Sequence, residues 1–126
     1  TGQSPRPTSS AVGVREEERA LVFLQQNGLR LVRRNFRCRF GEIDLILQDG
    51  DCLIVVEVRS RVSAHFETPA LTVDEAKQRK IARAALAFLA QTPRYSEWPV
   101  RFDVVAILHA EKGPGTIQWI KDAFRV

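Results

Sequence analysis

GEIDLILQDGDCLIVVEVRS, residues 41–60, reads as two β-strands folded back on each other. The runs Ile43–Leu47 and Leu53–Ser60 are rich in Ile, Leu and Val, and Gln48-Asp49-Gly50-Asp51 between them contains Asp-Gly, a strong short hairpin signal. A two-residue loop at Asp49-Gly50 sets Asp44 opposite Val55 and Glu42 opposite Glu57. Side chains alternate along a strand and facing pairs point the same way, so Glu42, Asp44, Leu53, Val55, Glu57 and Arg59 share one face.

Three acids gathered on a mostly apolar hairpin repel one another and resist desolvation, which costs several kcal/mol unless a cation answers them. Hard oxygen ligands suit Mg²⁺ or Mn²⁺, and Mg²⁺ typically takes one or two carboxylates while keeping waters and substrate phosphate oxygens. The chemistry expected of Asp44, Glu57 and Arg59 is therefore metal-assisted phosphoryl transfer, with Glu42 as a supporting acid. The competing reading is a surface hairpin with a structural Glu57–Arg59 salt bridge.

Working outward, Leu29–Phe40 alternates with period two: Val32, Arg34, Phe36, Cys38 and Phe40 on one side, Arg33, Asn35, Arg37 and Arg39 on the other. This predicts a strand with a basic outer stripe. Upstream, Glu17, Ala20, Leu21, Phe23 and Leu24 recur at helical spacing between Val14 and an Asn27-Gly28 stop. Residues 1–12 have almost no apolar mass and read as a disordered tail, leaving residues 13–126 as one domain.

Downstream, Arg61–Leu71 lacks a period and reads as a loop containing His65. Thr72 and Glu75 have capping-box spacing, and Ile81, Ala84, Ala85, Phe88 and Leu89 make a helical stripe ending near Gln91. Lys77, one turn before Ile81, either reaches a phosphate near the sheet or snorkels to water. Val100–Leu108 and Thr116–Ile120 read as strands, and Asp103 as a buried partner for a cation from the second helix. Trp98, Phe102 and Trp119 read as packing residues. The predicted order is α-β-β-β-α-β-β. Because the central strands are apolar on both faces, the fold class is α/β, a three-layer αβα core around a mixed sheet.

At 126 residues with 44% hydrophobic content, the chain supports one core and not two. A net charge of +4 favours polyanionic partners. Only Cys38 and Cys52 occur, which argues against a disulfide framework or a structural zinc site. No apolar run approaches the roughly 20 residues of a membrane span, and residues 1–12 lack a signal-peptide pattern. The expectation is a cytoplasmic protein that contacts no membrane.

Gly41-Glu-Ile-Asp44 followed by Val56-Glu-Val-Arg-Ser-Arg61, with Arg34-Asn-Phe-Arg37 upstream and Arg101-Phe-Asp-Val104 downstream, resembles the YraN-like uncharacterised protein family from about Val14 to Val126. That family is grouped with the restriction-endonuclease-like, PD-(D/E)XK nuclease superfamily, which includes Holliday-junction resolvases. The resemblance implies a restriction-endonuclease-like fold and metal-dependent endonuclease ancestry, with DNA, branched or damaged, as substrate. It makes Asp44 and Glu57 metal ligands and gives Glu17, aligned with the acid many such nucleases carry on their first helix, as a third candidate ligand. Arg59 falls where the superfamily most often has Lys, and Glu16 and Glu67 fall where this family often has Gly. Arg33, Arg37, Arg39 and Lys77 are the candidate nucleic-acid contacts, and a two-fold homodimer would suit a four-way junction. The alternative is a non-catalytic nucleic-acid-binding module that retains the nuclease fold.

Overall fold

The computed structural model describes residues 8–62, 73–110, 112–113 and 115–126, without the side chains of residues 8–12 and 62. The elements are α1 (Thr8–Gln26), β1 (Arg30–Cys38), β2 (Gly41–Asp49), β3 (Cys52–Val62), α2 (Glu75–Gln91), a 3₁₀ turn (Pro93–Tyr95), β4 (Val100–His109) and β5 (Thr116–Phe124). The chain is thus α/β, in the element order read from the sequence. Of the expected tail, residues 1–7 lie outside the described residues and Thr8 onward is the start of α1. His65 and Glu67 also lie outside them.

One five-stranded sheet runs in the order β1-β2-β3-β4-β5. Only the β3–β4 pair is parallel, as a crossover through α2 requires; the others are antiparallel. The central strand β3 is apolar on both sides because both sides are covered. Ile54 and Val56 pack with Ala20, Leu21 and Leu24 of α1. Leu53 and Val55 pack with Ile81, Ala84, Ala85 and Phe88 of α2. Each Leu, Ile, Val or Phe among them contributes about 1.5–3 kcal/mol when fully buried, so β3 anchors both layers.

Several local readings are revised. The hairpin closes on Asp49↔Cys52, with Gly50-Asp51 as its loop. Gly50 has φ +60°, and a hairpin with left-handed backbone at its first central residue favours Gly there. The register therefore shifts by two: Gln48 faces Leu53 and Leu45 faces Val56. A shift of two preserves which residues share a face. Strand β1 ends at Cys38, which places Arg39 in the turn to β2 rather than on a strand stripe. Helix α2 is capped by Asp74, whose carboxylate accepts the Lys77 N–H at 2.8 Å, so Glu75 is the first helical residue and not the far half of a capping box.

Asp103 is fully buried, and its partners are not on α2. Arg101 of its own strand donates twice to it at 2.9 Å, while Trp119 Nε1 and the Asp122 N–H donate from β5 at 2.9 Å each. Gly115, at φ +76°, turns the chain into β5 where any Cβ would collide with the Leu108 carbonyl oxygen. Asp103→Ala leaves the half-buried Arg101 and Trp119 donors without their acceptor, and we expect it to remove about 1–3 kcal/mol of unfolding free energy in urea titrations. A loss under about 1 kcal/mol would show that this network does not tie β5 to the sheet.

Candidate functional site

Strand β2 pairs with β3 only as far as Leu45↔Val56. Asp44, the next residue, turns its side chain to the neighbouring strand, and the Val58 backbone N–H donates to its Oδ2 at 2.9 Å. The carboxylate thus takes the place of a ladder carbonyl where the strands part. One step past the last registered pair, Asp44 meets Glu57, whose charge acts directly on it. The alternation along β2 breaks at the same place: Ile43 packs on the α2 side with Ile46, whereas Leu45 packs on the α1 side.

The cause lies across the ladder in β1. Asn35, between the pairs Arg34↔Leu45 and Phe36↔Ile43, has φ +49°, a left-handed conformation that Asn tolerates better than most residues. Arg34 and Phe36 consequently point to opposite layers, Arg34 to a 3.0 Å ion pair with Glu18 of α1 and Phe36 onto Phe88 of α2. The Asn35 amide donates to Glu17 Oε1 at 2.9 Å and to Glu42 Oε2 at 3.2 Å. Four acids from α1, β2 and β3 are thus drawn to the point where β2 leaves β3.

An open cavity of about 440 Å³ lies against this point, lined by Gly13, Glu16, Glu17, Asp44, Glu57, Val58 and Ser60. Burial, reinforced by the Glu57 charge, pushes the Asp44 carboxyl up to about 8 against the pull of the Val58 N–H, with Glu17 and Glu42 adding to the rise. Burial also raises Glu57, opposed by Lys77 and Arg59. Near neutral pH Asp44 therefore holds a proton.

Lys77 comes from the first turn of α2 and places Nζ 3.6 Å from Glu57 Oε2. Glu57's ion-pair partner is thus Lys77. Arg59 is half-buried, and its Nε has no hydrogen-bond partner among the described residues. Burial and the neighbouring Arg61 lower its basicity. Glu17 lines the cavity with one oxygen taken by Asn35. Among the described residues, no group of three or more His, Cys, Asp and Glu side chains is placed to hold a metal ion; the arrangement offers a two-carboxylate pair. Arg33, Arg37 and Arg39 are exposed along the β1 edge and turn, Arg33 and Arg39 over the rings of Phe36 and Phe40, and Arg37 3.5 Å from Glu42.

Sequence reasoning missed Asn35, whose signal was a residue tolerant of left-handed backbone inside an otherwise β-prone run. It also missed a clasp at the cavity wall. His109 Nε2, at the end of β4, lies 2.9 Å from Glu16 Oε2 and 2.8 Å from Ser60 Oγ. An activated serine needs its acid and its hydroxyl on different ring nitrogens. Here both meet Nε2, so the clasp joins α1 to β3 and β4 without making a nucleophile. No spacing in the sequence signals a contact between residues so far apart.

The raised Asp44 value has a consequence for stability. Between about 3.8 and about 8 the folded protein holds a proton that the unfolded chain has lost, so stability falls as pH rises through that window. Asp44→Asn removes this dependence: its melting temperature should exceed that of the wild type by a margin that widens toward pH 8 and closes toward pH 4. Parallel melting curves across the window would show that Asp44 ionises normally.

The sequence profile of the uncharacterised protein family UPF0102 matches residues 16–107. A UPF0102 protein of Nitrosomonas eutropha is 47% identical over 108 residues, covering 86% of this chain and 88% of its own. One from Pseudomonas entomophila is 41% identical over 120 residues, covering 95% and 98%. One from Nitrosomonas europaea is 48% identical over 108 residues, covering 86% and 88%. Likeness of this extent, spanning both helices and the strands that carry Asp44 and Glu57, places the chain in the uncharacterised protein family UPF0102.

Proposed function

We propose that this protein is a Mg²⁺- or Mn²⁺-dependent endonuclease of restriction-endonuclease-like architecture that acts on DNA, including branched or damaged forms. The observation that carries the reading is the Asp44–Glu57 pair, a half-buried and a buried carboxyl brought together beside an open cavity. Such a pair fits a hard divalent cation, which would take the place of the Asp44 proton and accept one or two protein carboxylates. A bound ion would supply an activated water and charge neutralisation at the phosphate. The element order and the placement of the acids on β2 and β3 support the same reading.

The chain's own groups divide the remaining work. The Val58 N–H fixes one Asp44 oxygen, leaving the other for the cavity. Lys77 balances Glu57 and offers an ammonium to a phosphate oxygen. Arg59 holds a fixed positive charge; an arginine does not give up its proton, so it stabilises charge and is not a base. Arg33, Arg37 and Arg39 contact the phosphate backbone outside the cavity. A second reading, a DNA-binding module without turnover, draws on Arg59 in place of the superfamily's usual Lys.

Labelled linear, nicked and four-way DNA incubated with Mg²⁺ or Mn²⁺ tests both readings. Cleavage that falls at least about a hundredfold in Asp44→Ala and Glu57→Ala is the expected result. Equal cutting by both variants would move the site elsewhere, and binding without cleavage would favour the second reading. Replacing Arg33, Arg37 and Arg39 together by Ala should flatten the dependence of log affinity on log salt by about 2–3. An unchanged slope would remove the β1 edge from the interface.

A further inference from the structure

Asn35 stands directly across the ladder from Asp44, and its one amide group engages both acids that flank the Asp44–Glu57 pair. Its Nδ2 carries two hydrogens, one directed at Glu17 Oε1 and one at Glu42 Oε2, so the donor capacity of the amide is fully used. Arg37 Nε adds positive charge 3.5 Å from the same Glu42 oxygen. The left-handed backbone aims the amide between α1 and β2; a regular strand residue would point into one layer or the other. Glu17 therefore lines the cavity and raises Asp44 through its charge, yet one of its oxygens is committed to β1.

Carboxylate count sets both the strength and the openness of a hard-cation site. Two carboxylates leave coordination positions for water and a phosphate oxygen; a third tightens binding and fills one of them. We propose that Asn35 is a positioning residue that holds Glu17 away from the Asp44–Glu57 pair and so keeps the site at two carboxylates. The inference rests on the metal-dependent reading above. Glu42 shares the amide, and its own pairing with Arg37 keeps it from competing for the cation.

The test is calorimetric titration of the whole protein with Mn²⁺ at fixed pH. Asn35→Gly keeps the left-handed backbone at no steric cost and removes the amide. Released Glu17 should then join the pair, and Mn²⁺ should bind about tenfold more tightly, equivalent to about 1.4 kcal/mol. Glu17→Gln added to Asn35→Gly should abolish the gain, whereas Glu17→Gln alone should change wild-type affinity by less than about twofold. Asn35→Asp, which repels Glu17 while keeping the side-chain shape, is the second variant should the glycine loosen β1; its gain should likewise depend on Glu17.

Wild-type Mn²⁺ binding with no Glu17-dependent gain in either variant overturns the inference and leaves the endonuclease reading standing. An equal effect of Glu17→Gln in all backgrounds also overturns it, because Glu17 would then already be a ligand. No Mn²⁺ uptake by any of the proteins overturns the metal-dependent reading and the inference with it. A Glu17-dependent gain without DNA cleavage keeps the inference and removes the activity. The Asn35 side-chain amide resonances, expected to shift in Glu17→Gln and in Glu42→Gln with no metal added, give a readout independent of both.

Discussion

A strand buried on both faces cannot carry a carboxylate without something nearby to answer its charge, and β3 carries Glu57 between two apolar layers. Everything at the candidate site follows from how that demand is met. Lys77 meets part of it from α2, at a distance that leaves the carboxylate only partly neutralised. Asp44 adds to the demand rather than relieving it, since it brings a second carboxyl to the same place.

Asp103 is the contrasting case. Asp103 is more deeply buried than either acid of the pair, yet it accepts hydrogen bonds from the Arg101 guanidinium, the Trp119 indole and the Asp122 backbone N–H. A buried carboxylate satisfied in this way ties strands together. Asp44 has a single backbone donor and three acids around it. The same residue type has its hydrogen bonds met in one case and is left short of donors beside other acids in the other.

The helices act on the site as well as on the core. Helix α1 packs Ala20, Leu21 and Leu24 onto the sheet, and the same face carries Glu17 to the sheet's end four residues earlier. The Glu16–His109–Ser60 clasp and the Arg34–Glu18 pair pin that helix to β1, β3 and β4 around the cavity. Helix α2 enters through the Asp74 cap, which fixes the turn that presents Lys77 to Glu57. Among the described residues no helix is long and apolar enough to cross a membrane, and the polar contacts of both helices serve the sheet end instead.

The sequence by itself determined whatever depends on periodicity and nearest neighbours. That includes the element order, the β2–β3 hairpin and the apolar cover on both faces, but not one shared face for Glu42, Asp44, Glu57 and Arg59, since alternation along β2 breaks between Ile43 and Leu45. These survive a two-residue register error, because alternation has a period of two. Tertiary structure alone decided the register, through Gly50 taking the left-handed loop position, and the pairing of Asp44 with Glu57 rather than Glu42 with Glu57. It also decided Asn35's break in β1, Lys77's approach from α2 and the meeting of Glu16 with His109. Each joins residues far apart in the chain, or depends on a backbone conformation chosen once the layers pack, and no local pattern encodes such a choice.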